Sequence, residues 1–295
     1  MSRSKKGLLY KLRRGVTSLF VCIVVLLPIL SIVWWGVYLR NGDDRKATPL
    51  PAFAQRKADS NAPIKPFDEP LITVTFDDGW ESIYSVAMPI MQKNGVHSTQ
   101  YILSATGDNQ EYMSSKQIKM IRDSGDEITC HGATHIDLTV ASNKDLLKEL
   151  TDCKQDLQKE YGVTPQAFAS PYGRSNTQTI SAIKGLYTSH RNTDGDISNG
   201  VDEFDVNTKA KFNRYDIIAV TVRRDTPLWQ IEQAINYTIA NNGWLVLNYH
   251  QIDDGPSEFG LDQKTLENQI HYISGSPVRI VTMSQVINAM QKSAR

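Results

Sequence analysis

Four short clusters in this chain concentrate side chains that bind cations or move protons. They are Phe76-Asp77-Asp78-Gly79-Trp80, His131-Gly132-Ala133-Thr134-His135, Ala169-Ser170-Pro171-Tyr172-Gly173 and Leu247-Asn248-Tyr249-His250. The i, i+4 spacing of His131 and His135 sets both rings on one side of a helical turn, as in other metal sites. One carboxylate oxygen from Asp77 or Asp78 would complete a three-ligand set with an open position. Such a His/His/Asp set suits a borderline cation better than calcium or magnesium. Successive strand residues point to opposite faces, so two adjacent aspartates can divide the work, one holding the cation and the other acting as base. A lone H-x-x-x-H or a lone Asp-Asp-Gly turn is weak evidence. The two together, at the ends of different strands, are much more specific.

The elements that must position these clusters alternate along the chain. Leu71–Phe76 is rich in β-branched residues and reads as a buried strand. Glu81–Lys93 has helical spacing, His97–Leu103 reads as a strand, Ser114–Asp123 as a helix and Glu127–Cys130 as a short strand. Asn143–Tyr161 is a helix with an apolar stripe of Leu146, Leu147, Leu150, Cys153 and Leu157, with Asn143 as its expected cap and Gly162 as its stop. Strands follow at Ala167–Ser170, Tyr215–Val222, Trp244–Tyr249 and Val278–Val281. Helices are expected at about 177–186, 227–241, 265–274 and 284–292, and an irregular loop at Asp194–Asn213. Repeated βα units favour a parallel sheet covered by helices. About seven of them in some 225 residues fit a closed barrel, whose chemistry sits at the carboxyl ends of its strands. All four clusters fall at such ends.

In this order the clusters resemble the NodB-like polysaccharide deacetylases, the fourth carbohydrate esterase family. Thr75-Phe76-Asp77-Asp78-Gly79 is similar to the family's first motif and His131-Gly132-Ala133-Thr134-His135 to its second, and the resemblance runs from about Leu71 to Ala289. It implies an α/β fold, a distorted (β/α)7 barrel. It also implies one divalent metal ion, zinc first with cobalt or nickel as alternatives, held by Asp78, His131 and His135. Asp77 would be the general base and His250 the general acid. The backbone N–H of Tyr172 would steady the oxyanion, and Trp80 would face the sugar. His97, His190 and His271 match no motif and read as structural.

The sequence departs from the family pattern in three places. Ala169 stands where the third motif begins with an Arg that pairs with the catalytic aspartate, and Arg191 is the expected substitute, keeping Asp77 ionised by its charge. The fourth motif is missing, with Asp225 as a weak candidate for tuning His250. Asn248 stands where the fifth motif has a Leu that lines the acetyl pocket. The implied activity is metal-dependent removal of N-acetyl groups from an N-acetylglucosamine-containing polysaccharide, either exopolysaccharide or peptidoglycan. The alternative is a non-catalytic carbohydrate-binding module on the same barrel. A glycosidase using Asp77 and Asp78 is disfavoured, because that chemistry needs carboxylates about 5–10 Å apart on opposite sides of a sugar bond.

Composition places this domain in the cell. The chain has 295 residues with 32 Lys+Arg and 32 Asp+Glu. A chain without basic excess is not a general nucleic-acid binder. Residues 1–40 hold seven cations and no acid, which leaves 25 basic against 32 acidic residues in the remainder. Gly15–Leu39 is uncharged, and a helix of that length is about 37 Å long, enough to span a bilayer with some tilt. Six of the cations precede it, and Trp34, Trp35 and Tyr38 sit near its far end. The expected organisation is a cytoplasmic basic tail (1–14), a single-pass uncleaved membrane anchor (15–39), a polar Pro-containing stalk (40–70) and an extracytoplasmic deacetylase domain (71–295). Its partners would be the membrane and the polysaccharide. Cys130 and Cys153 fit no metal spacing; one disulfide between them stays open, with buried free thiols the preferred reading.

Overall fold

The computed structural model describes residues 62–107, 109–196 and 204–293. The expected tail, anchor and most of the stalk lie outside the described residues. Among those described, no helix is long and apolar enough to cross a membrane.

Eight parallel strands form one sheet: β1 (Leu71–Asp78), β2 (Thr99–Ile102), β3 (Glu127–Cys130), β4 (Ala167–Ala169), β5 (Ser189–Arg191), β6 (Val220–Thr221), β7 (Trp244–Tyr249) and β8 (Arg279–Ile280). The order is β5-β4-β3-β2-β1-β7-β6, with β8 paired to the first residues of β1. Parallel bridges at Arg191↔Ile217 and Gly195↔Val220 carry the sheet from β5 round to the β6 segment. The result is the strand arrangement of the expected seven-stranded barrel, with a weakly laddered seam between β5 and β6. The apolar run at Tyr215–Val222, expected as a strand, keeps only Val220–Thr221 in the ladder.

Helices α1 (Met88–Lys93), α2 (Ser115–Asp123), α3 (Asn143–Tyr161), α4 (Thr177–Lys184), α5 (Leu228–Asn241), α6 (Gln263–Gly275) and α7 (Met283–Ser293) follow successive strands. The first expected helix is continuous over residues 81–93, with Ile83–Ala87 wound as a π-helical turn ahead of α1. The cap of α3 is Ser142 rather than Asn143: the Ser142 hydroxyl accepts from the Asp145 N–H at 3.2 Å. The α3 stripe buries Leu146, Leu150, Cys153 and Leu157 against the sheet, and each buried leucine contributes about 1.5–3 kcal/mol.

Strand alternation separates two apolar clusters. Ile72, Val74 and Phe76 on β1, with Leu245, Leu247 and Tyr249 on β7, face the helices. Leu71, Tyr101, Ala167, Ala169, Trp244 and Val246 face the barrel interior. Ile64 and Phe67, at the described end of the expected stalk, pack on this interior cluster, with Phe67 5.4 Å from the Phe212 ring. The folded unit therefore includes residues before Leu71.

The cysteines correct a sequence-based expectation. Cys130 and Cys153 form a disulfide between β3 and α3, with a Cα–Cα separation of 6.0 Å. Both cysteines are fully buried, as expected. Pairing required knowing that α3 crosses β3 at disulfide distance, which residue spacing does not reveal.

Candidate active site

The interior parity of β1 places Thr73, Thr75 and Asp77 inside the barrel, whereas Asp78 begins on the outer parity. Its backbone takes φ +70°, followed by Gly79 at +84°. That left-handed step turns the Asp78 carboxylate over the rim toward β3. Both aspartates thus reach one site.

Asp78 Oδ1 lies 3.5 Å from His131 Nε2 and 3.3 Å from His135 Nε2. Their donor atoms all fall within 4.8 Å of one another. Asp78 Oδ1 is buried and has no hydrogen-bond partner, while Oδ2 accepts from the Trp80 indole N–H at 2.8 Å. The His131 Nδ1 contacts the Ala169 carbonyl at 2.9 Å. A carbonyl only accepts, so Nδ1 carries the proton and Nε2 presents its lone pair. Burial pushes the His131 pKa below the usual imidazole value, and Asp77 and Asp78 only partly offset this. A buried carboxylate oxygen that faces the His131 lone pair and has no hydrogen-bond partner is costly. A divalent cation would resolve that cost, so these residues fit one, and two nitrogens with one oxygen is a donor set for a zinc-like metal.

The His131–His135 turn is held by a residue that the sequence reading missed. Glu149 on α3 is buried and accepts from the Ala133 N–H at 2.7 Å, from the Thr134 N–H at 2.9 Å and from the Thr134 hydroxyl. Gly132, at φ +93°, leaves room for it: a Cβ there would stand 3.1 Å from Glu149 Oε2. The available signal was an acid set among the buried leucines of α3.

Asp77 is 2% exposed and faces three groups. The Arg191 guanidinium donates to its Oδ1. Asn248 Nδ2 donates to Oδ2 at 3.1 Å, and His131 Nε2 lies 3.9 Å from Oδ2. Burial alone would raise the Asp77 pKa, but the charge and the hydrogen bond of Arg191 hold it below the usual carboxylate range. Arg191 is itself buried and lies over the Tyr101 ring, 4.6 Å from its centroid. Ala169 and Arg191 are direct register partners on β4 and β5. The arginine absent at Ala169 therefore stands one strand over, at the same height.

The other expected residues line the rim. His250, just past β7, has a buried Nδ1 without a hydrogen-bond partner and packs 5.1 Å from Phe259. Asp225 does not bond to it. Tyr172 has φ +60°, is 58% exposed, and sets its ring edge-on to His135 at 4.5 Å. Trp80 stacks on Tyr112 at 4.8 Å and its indole N–H is directed at the Asp78 carboxylate. His190 is buried on the outer face of β5, with Nε2 2.8 Å from the Ser170 hydroxyl and Nδ1 3.1 Å from the Tyr215 carbonyl.

Comparison with known proteins gives the same reading. Residues 64–188 match the family described as polysaccharide deacetylase. The chain is 29% identical over 118 residues, 40% of its length, to the peptidoglycan-N-acetylmuramic acid deacetylase PdaC of Bacillus subtilis (strain 168). It is 26% identical over 132 residues, also 40% of its length, to the poly-beta-1,6-N-acetyl-D-glucosamine N-deacetylase of Staphylococcus aureus (strain N315). These matches span 24% and 46% of the two relatives' own lengths. Among solved structures, the fold is shared with the Xyl-CE4 domain of a multidomain xylanase from the hindgut metagenome of Trinervitermes trinervoides. That likeness has a TM-score of 0.54 at 21% identity and covers 76% of this chain and 92% of that one. Over residues 64–188 the chain is similar to the polysaccharide deacetylases, and the arrangement of its four clusters agrees with that likeness.

Proposed function

We propose that this chain is a metal-dependent N-deacetylase acting outside the membrane on an N-acetylglucosamine-containing polysaccharide. The observation that carries the reading is the pairing of two unlike carboxylates. The partnerless Asp78 Oδ1 faces His131 and His135, and beside it Asp77 is kept ionised by Arg191.

A divalent cation in the Asp78, His131 and His135 set would polarise the acetamide carbonyl and acidify the attacking water. Zinc is the first choice, with cobalt or nickel as alternatives. Asp77 accepts the proton of that water on its carboxylate. Arg191 keeps the base ionised, and Asn248 limits its rotation. The peptide N–H of Tyr172 donates to the oxyanion. His250 donates a proton to the departing amine nitrogen and so completes amide cleavage.

Exopolysaccharide and peptidoglycan are the two substrate classes, matching those named for the two relatives above, and the exposed Tyr172 ring offers a sugar a stacking surface at the rim. An extracytoplasmic domain behind an anchor at residues 15–39 is supported by the charge asymmetry of the N-terminus and by the Cys130–Cys153 disulfide, since such bonds persist in oxidising compartments.

The test is acetate release from N-acetylglucosamine oligomers and from peptidoglycan by the full chain in detergent. Release is expected to stop on chelation and return with zinc, cobalt or nickel. No release from any of these substrates with metal restored would overturn the reading.

A further inference from the structure

Position 248 carries the one amide among the apolar and aromatic side chains of β7, whose six residues read Trp-Leu-Val-Leu-Asn-Tyr and are all buried. Trp244 and Val246 share its parity and face the barrel interior, so Asn248 enters the same space one level higher. Its Cα partner across β1 is Thr75. The Thr75 hydroxyl contacts both the Leu247 carbonyl and Asn248 Oδ1, each at 3.1 Å. Asn248 Nδ2 then donates to Asp77 Oδ2 at 3.1 Å.

The chemistry of these groups orients the chain of contacts. An ionised carboxylate only accepts, so Asp77 requires the NH2 end of the amide. A flipped amide would set Oδ1 against the Asp77 carboxylate, two acceptors facing each other, whereas the observed orientation leaves Oδ1 to accept from the Thr75 hydroxyl. With Arg191 on β5 donating to Oδ1 and Asn248 on the neighbouring strand β7 donating to Oδ2, both carboxylate oxygens are tied, by residues of two different strands. The plane of the carboxylate is thereby fixed, with Oδ2 turned toward His131 and the metal-ligand side. Leucine at 248 would fill similar space but could not donate.

We propose that Asn248, oriented by Thr75, is a positioning residue that fixes the plane of the Asp77 carboxylate for proton abstraction. The proposal rests on the deacetylase reading, in which Asp77 is the base. It predicts that this barrel trades an apolar wall at β7 for a polar clamp on its base. Orientation of a reacting group acts on turnover more than on substrate binding.

The experiment compares Asn248→Leu, Thr75→Val and Thr75→Ser with wild type in the full chain. It reads kcat and KM for acetate release, metal content and thermal unfolding. Losing one hydrogen bond to a charged group should lower kcat on the order of 10- to 100-fold in Asn248→Leu. KM and metal content should change little. Thr75→Val should fall in the same direction by less, and Thr75→Ser, which keeps the hydroxyl, should stay near wild type. A folded, metal-loaded Asn248→Leu with wild-type kcat overturns the proposal. If that variant does not fold, equal kcat for Thr75→Val and Thr75→Ser overturns it.

A second arm is independent of turnover. With 15N-asparagine labelling, the Asn248 side-chain NH2 signal, assigned by its disappearance in Asn248→Leu, should exchange slowly and lose that protection in Asp77→Ala. Fast exchange in wild type overturns the proposal. Absence of acetate release by wild type would instead count against the deacetylase reading and leave the NMR arm to decide the clamp.

Discussion

The two halves of the site are built by different means. On the metal side, His131 and His135 lie on one turn, and Glu149, the residue holding that turn, is only 14 positions beyond His135. Asp78 joins them through its own left-handed backbone. On the base side, Arg191 is 114 residues from Asp77 and Asn248 is 171 residues away. The metal half is shaped by local backbone geometry. The base half is assembled from three strands: Asn248 comes from β7, the paired neighbour of β1, and Arg191 from β5, which the curl of the sheet brings to Asp77. A local device survives small changes elsewhere, whereas a device made by closure depends on the whole barrel.

The largest expected effects separate the two halves directly. His131→Ala should lose bound metal, measured as metal content after dialysis, and with it acetate release. Asp77→Asn should retain metal and lose turnover on the order of 10²- to 10⁴-fold. Equal metal loss in both variants would erase the division.

Next in size is Arg191→Ala, which leaves Asp77 buried without its cation. Removing one partner of a buried pair costs about 3–5 kcal/mol, readable by chemical denaturation. The same variant fixes a sign. Arg191 lowers the Asp77 pKa against burial, so its removal should raise that pKa and move the acidic limb of the kcat/KM profile to higher pH. Because Ala169 is the register partner of Arg191, adding Ala169→Arg should restore part of both losses. An unmoved acidic limb would remove Arg191 from the base.

The strand that delivers Arg191 carries its own acid sensitivity. Burial, with the Arg191 charge adding to it, lowers the His190 pKa from 6.5 to about 4, although the Tyr215 carbonyl opposes the shift. Below pH 6.5 the unfolded chain takes up a proton that the folded one refuses. This stability is fully present above 6.5 and is lost as pH falls toward 4, by on the order of 3 kcal/mol. His190→Gln should flatten the stability curve across that window.

The smallest effect belongs to the metal half. Glu149→Gln keeps the shape but removes the charge from the carboxylate that gathers Ala133 and Thr134. Metal affinity should fall on the order of 10- to 100-fold, by competition with a chromogenic chelator, while kcat at saturating metal stays close to wild type. A fall in kcat with unchanged affinity would place Glu149 on the base side instead.

Legibility in the sequence follows the same division. The strands β1 and β7 announce themselves by continuous apolar or β-branched runs, because both of their faces are buried. The Tyr215–Val222 run looked alike, yet only Val220–Thr221 pairs with β7. Its neighbour Ile217 is held instead by one bridge to Arg191. Trp80 was read as a sugar-facing ring. Its bond to Asp78 and its stacking on Tyr112 depend on a left-handed turn and on a loop more than thirty residues further on.

The sequence by itself determined the βα alternation, the four clusters at strand ends and the His/His/Asp set, because periodicity and short spacings are local properties of a chain. It also determined that Ala169 leaves an arginine to be found elsewhere. Only the tertiary structure decided that Arg191 reaches Asp77 from one strand beyond Ala169, that Asn248 donates to the other oxygen of Asp77, and that Cys130 and Cys153 pair. Each of these joins side chains from separate elements, and their separation is set by strand pairing, sheet curl and helix packing rather than by the number of residues between them.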